Sequence, residues 1–147
     1  MNATTDMTSE ELVIDGQSCH RHTNPDGTTG GWVSDTAHVA PTAYIGPEAK
    51  VLDYAVVSGN ARVSRYAKVS GYAQVYGNAR VFGWASIYGN AEVYGSARIY
   101  GRARVFGYAR IYGDAVVRGT ATWSSATSRP GVTSISLVTR LRVSSSS

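Results

Sequence analysis

At 147 residues, with 43% hydrophobic content and a formal charge of +4, the chain has the size of one ordinary domain and enough apolar material for a core. No apolar run approaches the roughly 18 residues of a membrane span, and a single cysteine, Cys19, excludes an internal disulfide framework and a multi-cysteine zinc site. Leucine is confined to positions 12, 52, 137 and 141, while Gly, Ala, Val and Tyr abound, a composition suited to short strands and tight turns rather than to a helical bundle. The first twenty residues show no positive end followed by an apolar stretch, so the expectation is a soluble cytoplasmic protein without a secretory signal.

In chain order, residues 1–31 read as an N-terminal capping segment. Glu11-Leu12-Val13-Ile14-Asp15-Gly16 looks like a short strand running into a turn, and Pro25-Asp26-Gly27 like a second turn. From residue 32 to residue 123 the chain falls into sixes. Aliphatic residues recur from Val33 and Val39 through Val117, with Trp123 taking the next place, and an alanine stands two positions before each from Ala37 to Ala121. Two positions after each aliphatic, from Gly59 to Gly119, the residue is glycine except at Arg65. The unit is Val-Tyr-Gly-Asn-Ala-Arg, repeated about fifteen times with no insertion. Past Ser124 the register is lost. Residues 124–147 are a Ser-rich C-terminal tail, expected to be partly disordered at 144–147, with 132–143 a candidate closing strand.

Strand geometry turns the repeat into a shape. In each Ala-x-Val triplet the first and third side chains face one way and the middle one the other. Ala and Val therefore point inward, x points outward, and the intervening Tyr-Gly-Asn makes a corner where glycine permits angles denied to other residues. A strand this short is unstable alone, so successive turns must stack into a solenoid with a continuous core. Exposed strand edges at either end invite pairing with another chain, so end-to-end self-association is the alternative to a cap.

These residues resemble the bacterial hexapeptide-repeat family. Ile45-Gly46-Pro47-Glu48-Ala49-Lys50-Val51 looks like that family's usual motif. The later units, with Gly30-Gly31-Trp32-Val33 ahead of them, look more like uncharacterised YGNARV-type hexapeptide proteins of bacteria and phages. The resemblance covers about residues 32 to 123. It implies an all-β fold, a left-handed parallel β-helix with three sixes per triangular coil, hence about five coils, and a homotrimer as the expected assembly. Phage-associated or cell-surface attachment (and so a virion or cell-surface location) rests on that resemblance alone.

Residues eighteen apart lie one above another. One outer face carries Arg62, Arg80 and Arg98 in register, between Tyr44 and Val116; a second carries Lys50, Lys68, Ser86 and Arg104. The third carries His38, Val56, Gln74, Glu92 and Arg110, with Glu92 expected to pair with Arg110. Corners hold aromatic columns: Tyr76, Tyr94 and Tyr112; Phe82 and Tyr100; Tyr88 and Phe106; Tyr66 and Trp84. Residues 33–123 contain ten Lys and Arg against five Asp and Glu, whereas residues 1–32 contain one against five, so a basic rod follows an acidic leader.

The arginine column has three readings: a solvated face with stacked guanidinium planes, an anion-binding strip for phosphate, sulfate or acidic sugars, or a strip neutralised by the acidic leader or a neighbouring subunit. Stacked rings at the corners have a structural role in their own right, and beside arginines they also make a platform for sugar rings. The candidate binding residues are Arg62, Arg80, Arg98, Phe82, Tyr100, Tyr76, Tyr94 and Tyr112. No basic run or recognition motif supports nucleic acid, and the outward columns lack the regular threonine array of an ice-binding surface.

The hexapeptide resemblance implies acyltransferase or zinc-dependent carbonic anhydrase activity, with histidines in clefts between subunits. This chain has His20 and His22 in the leader and His38 on the first coil, none in the middle coils, and no extruded loop to shape an acyl-CoA site. His20, His22 and His38 are weak candidates for three nitrogen ligands of zinc, with Cys19 a further one, but no acidic partner for them is evident. The expectation is thus a non-catalytic scaffold or binding module that needs no cofactor and presents a basic, aromatic face to a protein or an anionic polymer such as a glycan. The alternative is an acyltransferase-like enzyme whose site a partner chain completes.

Overall fold

A computed structural model describes residues 11–123. The 132–143 strand and the 144–147 end expected in the tail lie outside the described residues. Among those residues there are strands and turns and no helix, so no helix is long and apolar enough to cross a membrane.

Three strands open the structure: β1 (Glu11–Ile14), β2 (Gln17–Thr23) and β3 (Thr29–Ser34). They run antiparallel through turns at Asp15-Gly16 and Pro25-Asp26-Gly27, as the turn residues predict. Fifteen two-residue strands follow, five to each of three parallel walls, so the solenoid has about five coils. The first wall continues from β3 through Lys50–Val51, Lys68–Val69, Ser86–Ile87, Arg104–Val105 and Thr122–Trp123. The second holds His38–Val39, Val56–Val57, Gln74–Val75, Glu92–Val93 and Arg110–Ile111. The third holds Tyr44–Ile45, Arg62–Val63, Arg80–Val81, Arg98–Ile99 and Val116–Val117.

The repeat explains each feature. Every repeat alanine from Ala37 to Ala121 is buried, as is every aliphatic from Ile45 to Val117, so one continuous core runs down the axis. Burying one such valine or isoleucine contributes about 1.5–3 kcal/mol, and each coil stabilises only its neighbours. Backbone N–H groups of one coil donate to carbonyls of the next: Arg80 to Ala97 at 2.9 Å, Phe82 to Ile99 at 2.9 Å, Trp84 to Gly101 at 2.7 Å. Corners close through an i→i+3 bond, as from Ala91 N–H to Tyr88 C=O, with Gly89 at φ 68°, the positive angle a mirrored hairpin-type turn demands. Asp53 and Arg65 stand at glycine positions of the repeat and adopt the same left-handed angles, φ 60° and 58°.

The N-terminal end is closed by side chains where a coil above would otherwise bond. With no such coil, the Ile45 N–H and the Ala43 carbonyl would be orphaned. Asn24, buried, accepts from Ile45 N–H through Oδ1 at 2.8 Å, and His22 Nε2–H donates to Ala43 C=O at 3.0 Å. Gln17 does the same for Asp53: its Oε1 accepts the Asp53 N–H at 2.7 Å, while its Nε2 donates to Asp53 Oδ1 at 2.6 Å. The other oxygen of Asp53 accepts Gly71 N–H at 2.7 Å, joining hairpin, first turn and next coil.

Candidate functional site

The third wall aligns the predicted strip. Arg62 pairs in register with Arg80, and Arg80 with Arg98, with Tyr44 above and Val116 below. All three arginines are exposed, because the Ala before and the Val or Ile after each point inward. Adjacent members are one strand spacing apart, about 4.8 Å.

Neighbours distinguish the three arginines. The Arg62 guanidinium lies 4.7 Å from the Tyr44 ring centroid, and the turn bearing Asp26 lines a groove with Tyr44 and Arg62. Hydrogen bonds from the Thr28 hydroxyl and N–H hold the Asp26 carboxyl below its usual range, and Arg62 adds a smaller pull. The leader's other contact with a basic column falls elsewhere: Asp15 meets Lys68 at 3.5 Å on the first wall. Among the described residues no carboxylate pairs with Arg80 or Arg98.

Aromatic ladders climb the corners on both sides of the strip. Tyr76, Tyr94 and Tyr112 stack at 4.9 and 5.4 Å between centroids; Phe82 and Tyr100 stack at 4.9 Å. Tyr88–Phe106 and Tyr66–Trp84 stack as their columns imply, at 5.0 and 4.3 Å. Tyr76 leans to the second wall, where its hydroxyl donates to Glu92 Oε1 at 3.3 Å; burial and then the Glu92 charge push its pKa upward. The expected Glu92–Arg110 ion pair is therefore corrected: the two residues are in register, but the partner of Glu92 is the Tyr76 hydroxyl.

Charge is one-sided. Outward segments 44–50, 62–68, 80–86, 98–104 and 116–122, which run from the third wall round to the first, hold nine Lys and Arg against one carboxylate, Glu48. The second-wall segments 74–78, 92–96 and 110–114 hold Arg110 against Glu92 and Asp114. One side of the rod is thus a basic, aromatic surface and the other is close to neutral.

The three histidines do not converge. His20 Nδ1 lies 2.8 Å from Asp35 Oδ1, an acidic partner not evident from sequence. His22 is engaged by Ala43 C=O, and burial first, then His20, lowers its pKa. His38 faces outward on the second wall, and no cluster of three His, Cys, Asp or Glu forms among the described residues. Cys19 is buried; burial pushes its thiol pKa up, and its Sγ donates to Gln17 C=O at 3.5 Å.

Several pairings escaped the sequence reading. Tyr54 and Tyr72 stack at 5.2 Å, a column visible in the eighteen-residue register. The Arg21 guanidinium lies 4.4 Å from the Trp32 ring centroid, which no repeat spacing signals because Arg21 is in the leader. Arg102 and Arg104 line a groove with Trp84 on the edge of the first wall; both are outward because Ala103 between them is inward.

Three parallel walls, a seamless Ala/Val core and a side-chain cap define a β-solenoid repeat protein. A family model described as YdcK Beta solenoid repeat matches residues 73–84 and 97–110, so these coils are similar to that repeat. No curated protein and no solved structure matches the chain.

Proposed function

We propose that the protein is a non-catalytic scaffold and binding module whose third wall presents Arg62, Arg80 and Arg98, flanked by Phe82 and Tyr100 and by the Tyr76, Tyr94 and Tyr112 ladder, to an anionic polymer, foremost an acidic glycan. The observation that carries this reading is the one-sidedness of charge: nine cations against the single carboxylate of Glu48 on the outward segments that run from the strip round to the first wall. Guanidinium forks in a row bind oxyanions bidentately, and a rigid wall fixes their backbone spacing, so only the side chains are ordered at binding. Arg80 and Arg98 are the principal anchors, since Arg62 already stacks on Tyr44. Rings beside them offer apolar contact to sugar C–H groups. The acyltransferase-like alternative draws no support from His22, whose Nε2 is engaged by the Ala43 carbonyl in the cap.

The test is binding to immobilised dextran sulfate across a salt series, with neutral dextran as control. Native protein binds dextran sulfate in a salt-sensitive way. The triple variant Arg62→Ser, Arg80→Ser, Arg98→Ser loses affinity by about tenfold or more, given the usual strength of charge-assisted hydrogen bonds. Unchanged affinity in the triple variant would remove the strip from the reading.

A further inference from the structure

We propose that the groove around Arg102 and Arg104 is a separate oxyanion site, built to hold the sulfate or phosphate monoester of a sugar. It lies on a different wall from the arginine strip and goes beyond the polymer reading.

The site follows from the repeat. Ala103 is fully buried, so the residues on either side of it both emerge on the outer surface, and both line the same groove. The coil before supplies Trp84 and Ser86, and the coil after supplies Thr120 and Thr122; Ser86, Arg104 and Thr122 are in direct parallel register. Among the described residues these six side chains line the groove, and none is acidic. Farther up the same column Lys68 is offset by Asp15 at 3.5 Å, whereas no carboxylate among the described residues meets Arg102 or Arg104. Two guanidinium groups lining one groove give it a positive potential that favours an anion there.

Donor number selects the anion. A carboxylate offers roughly four lone-pair sites, fewer than two guanidinium forks and three hydroxyls can fill. A monoester with three terminal acceptor oxygens matches the set better. The rest of the ligand meets Trp84. One face of that indole is covered by Tyr66, ring centroids 4.3 Å apart, and Arg102 stands 6.0 Å off the ring on the next coil. Trp84 is still 57% exposed, which leaves apolar ring surface for the C–H groups of a sugar.

Titration calorimetry on the full chain tests this with glucose 6-sulfate, glucose 6-phosphate, glucose and inorganic sulfate as probes. Both esters bind, glucose does not, and the relative affinity of the two esters tells a sulfated from a phosphorylated source. The double variant Arg102→Gln, Arg104→Gln loses ester affinity by about tenfold or more, and Arg102→Lys, Arg104→Lys, which keeps the charge but not the forks, falls between. Trp84→Leu weakens both esters and spares inorganic sulfate. The strip variant Arg62→Ser, Arg80→Ser, Arg98→Ser leaves ester binding unchanged, so failure of the polymer reading and failure of this site are read separately. Native-like ester affinity in the Gln double variant, or esters binding no tighter than inorganic sulfate, overturns the proposal.

Discussion

Asn24 Oδ1 accepts the Ile45 N–H at 2.8 Å in the interior of the cap, where the first strand of the third wall has no coil above it. Its amide Nδ2 donates to Thr28 Oγ1 at 3.1 Å, which fixes the orientation of the acceptor. Asn24→Ala leaves a buried N–H unsatisfied and is expected to destabilise the first coil by about 1–3 kcal/mol. Because coils stabilise only their neighbours, amide exchange should rise at Ile45 well before Ile99. Equal rises at both would contradict a local cap.

Gly89 and Gly119 separate two costs of replacing a corner glycine. Both have positive φ, 68° and 66°, but a Cβ on Gly89 would lie 2.7 Å from the Gly107 nitrogen, while one on Gly119 would meet nothing within 4 Å among the described residues. Gly119→Ala is expected to cost only the left-handed strain, about 1–2 kcal/mol. Gly89→Ala adds a backbone collision and should be clearly worse in urea unfolding. Equal losses would mean that coil spacing adapts to the extra carbon.

Tyr94 stacks on two rings and Tyr112 on one ring of the same ladder. At about 0.5–1.5 kcal/mol per stacked pair beyond area burial, Tyr94→Leu should lose about twice the stacking stability of Tyr112→Leu. Thermal unfolding of the two variants at matched protein concentration provides the comparison.

His22 gives the cap a pH dependence. Its folded pKa is lowered, chiefly by burial, so the unfolded chain takes up a proton first as pH falls. This contribution to stability is fully present above the ordinary histidine value of about 6.5 and is lost as pH drops toward the folded value. Protection of the Ala43 to Ile45 segment should therefore decrease between pH 7.5 and 5, and His22→Gln should flatten that dependence. An unchanged slope in His22→Gln would assign the effect to another group.

The coil register was legible because the spacing of six leaves each inward position only one side to face: Ala79 and Val81 had to be buried, and Arg62, Arg80 and Arg98 had to align. Ring stacking followed from the same arithmetic. The cap's hydrogen bonds were not legible. Gln17 meets Asp53 across 36 residues, and which backbone groups are orphaned depends on how the hairpin lies over the first coil. The Glu92 misreading has a similar source. Register set Arg110 beside it, but the Tyr76 hydroxyl, coming from the corner, is what meets its carboxylate.

The most direct test of the binding face is a residue-resolved NMR titration with a sulfated oligosaccharide at low salt. The shifts should concentrate on Arg80, Arg98, Phe82 and Tyr100, be reversed by added salt, and spare Val56 on the second wall. Shifts centred on Val56, or none on the arginine wall, would contradict a basic face made for anions.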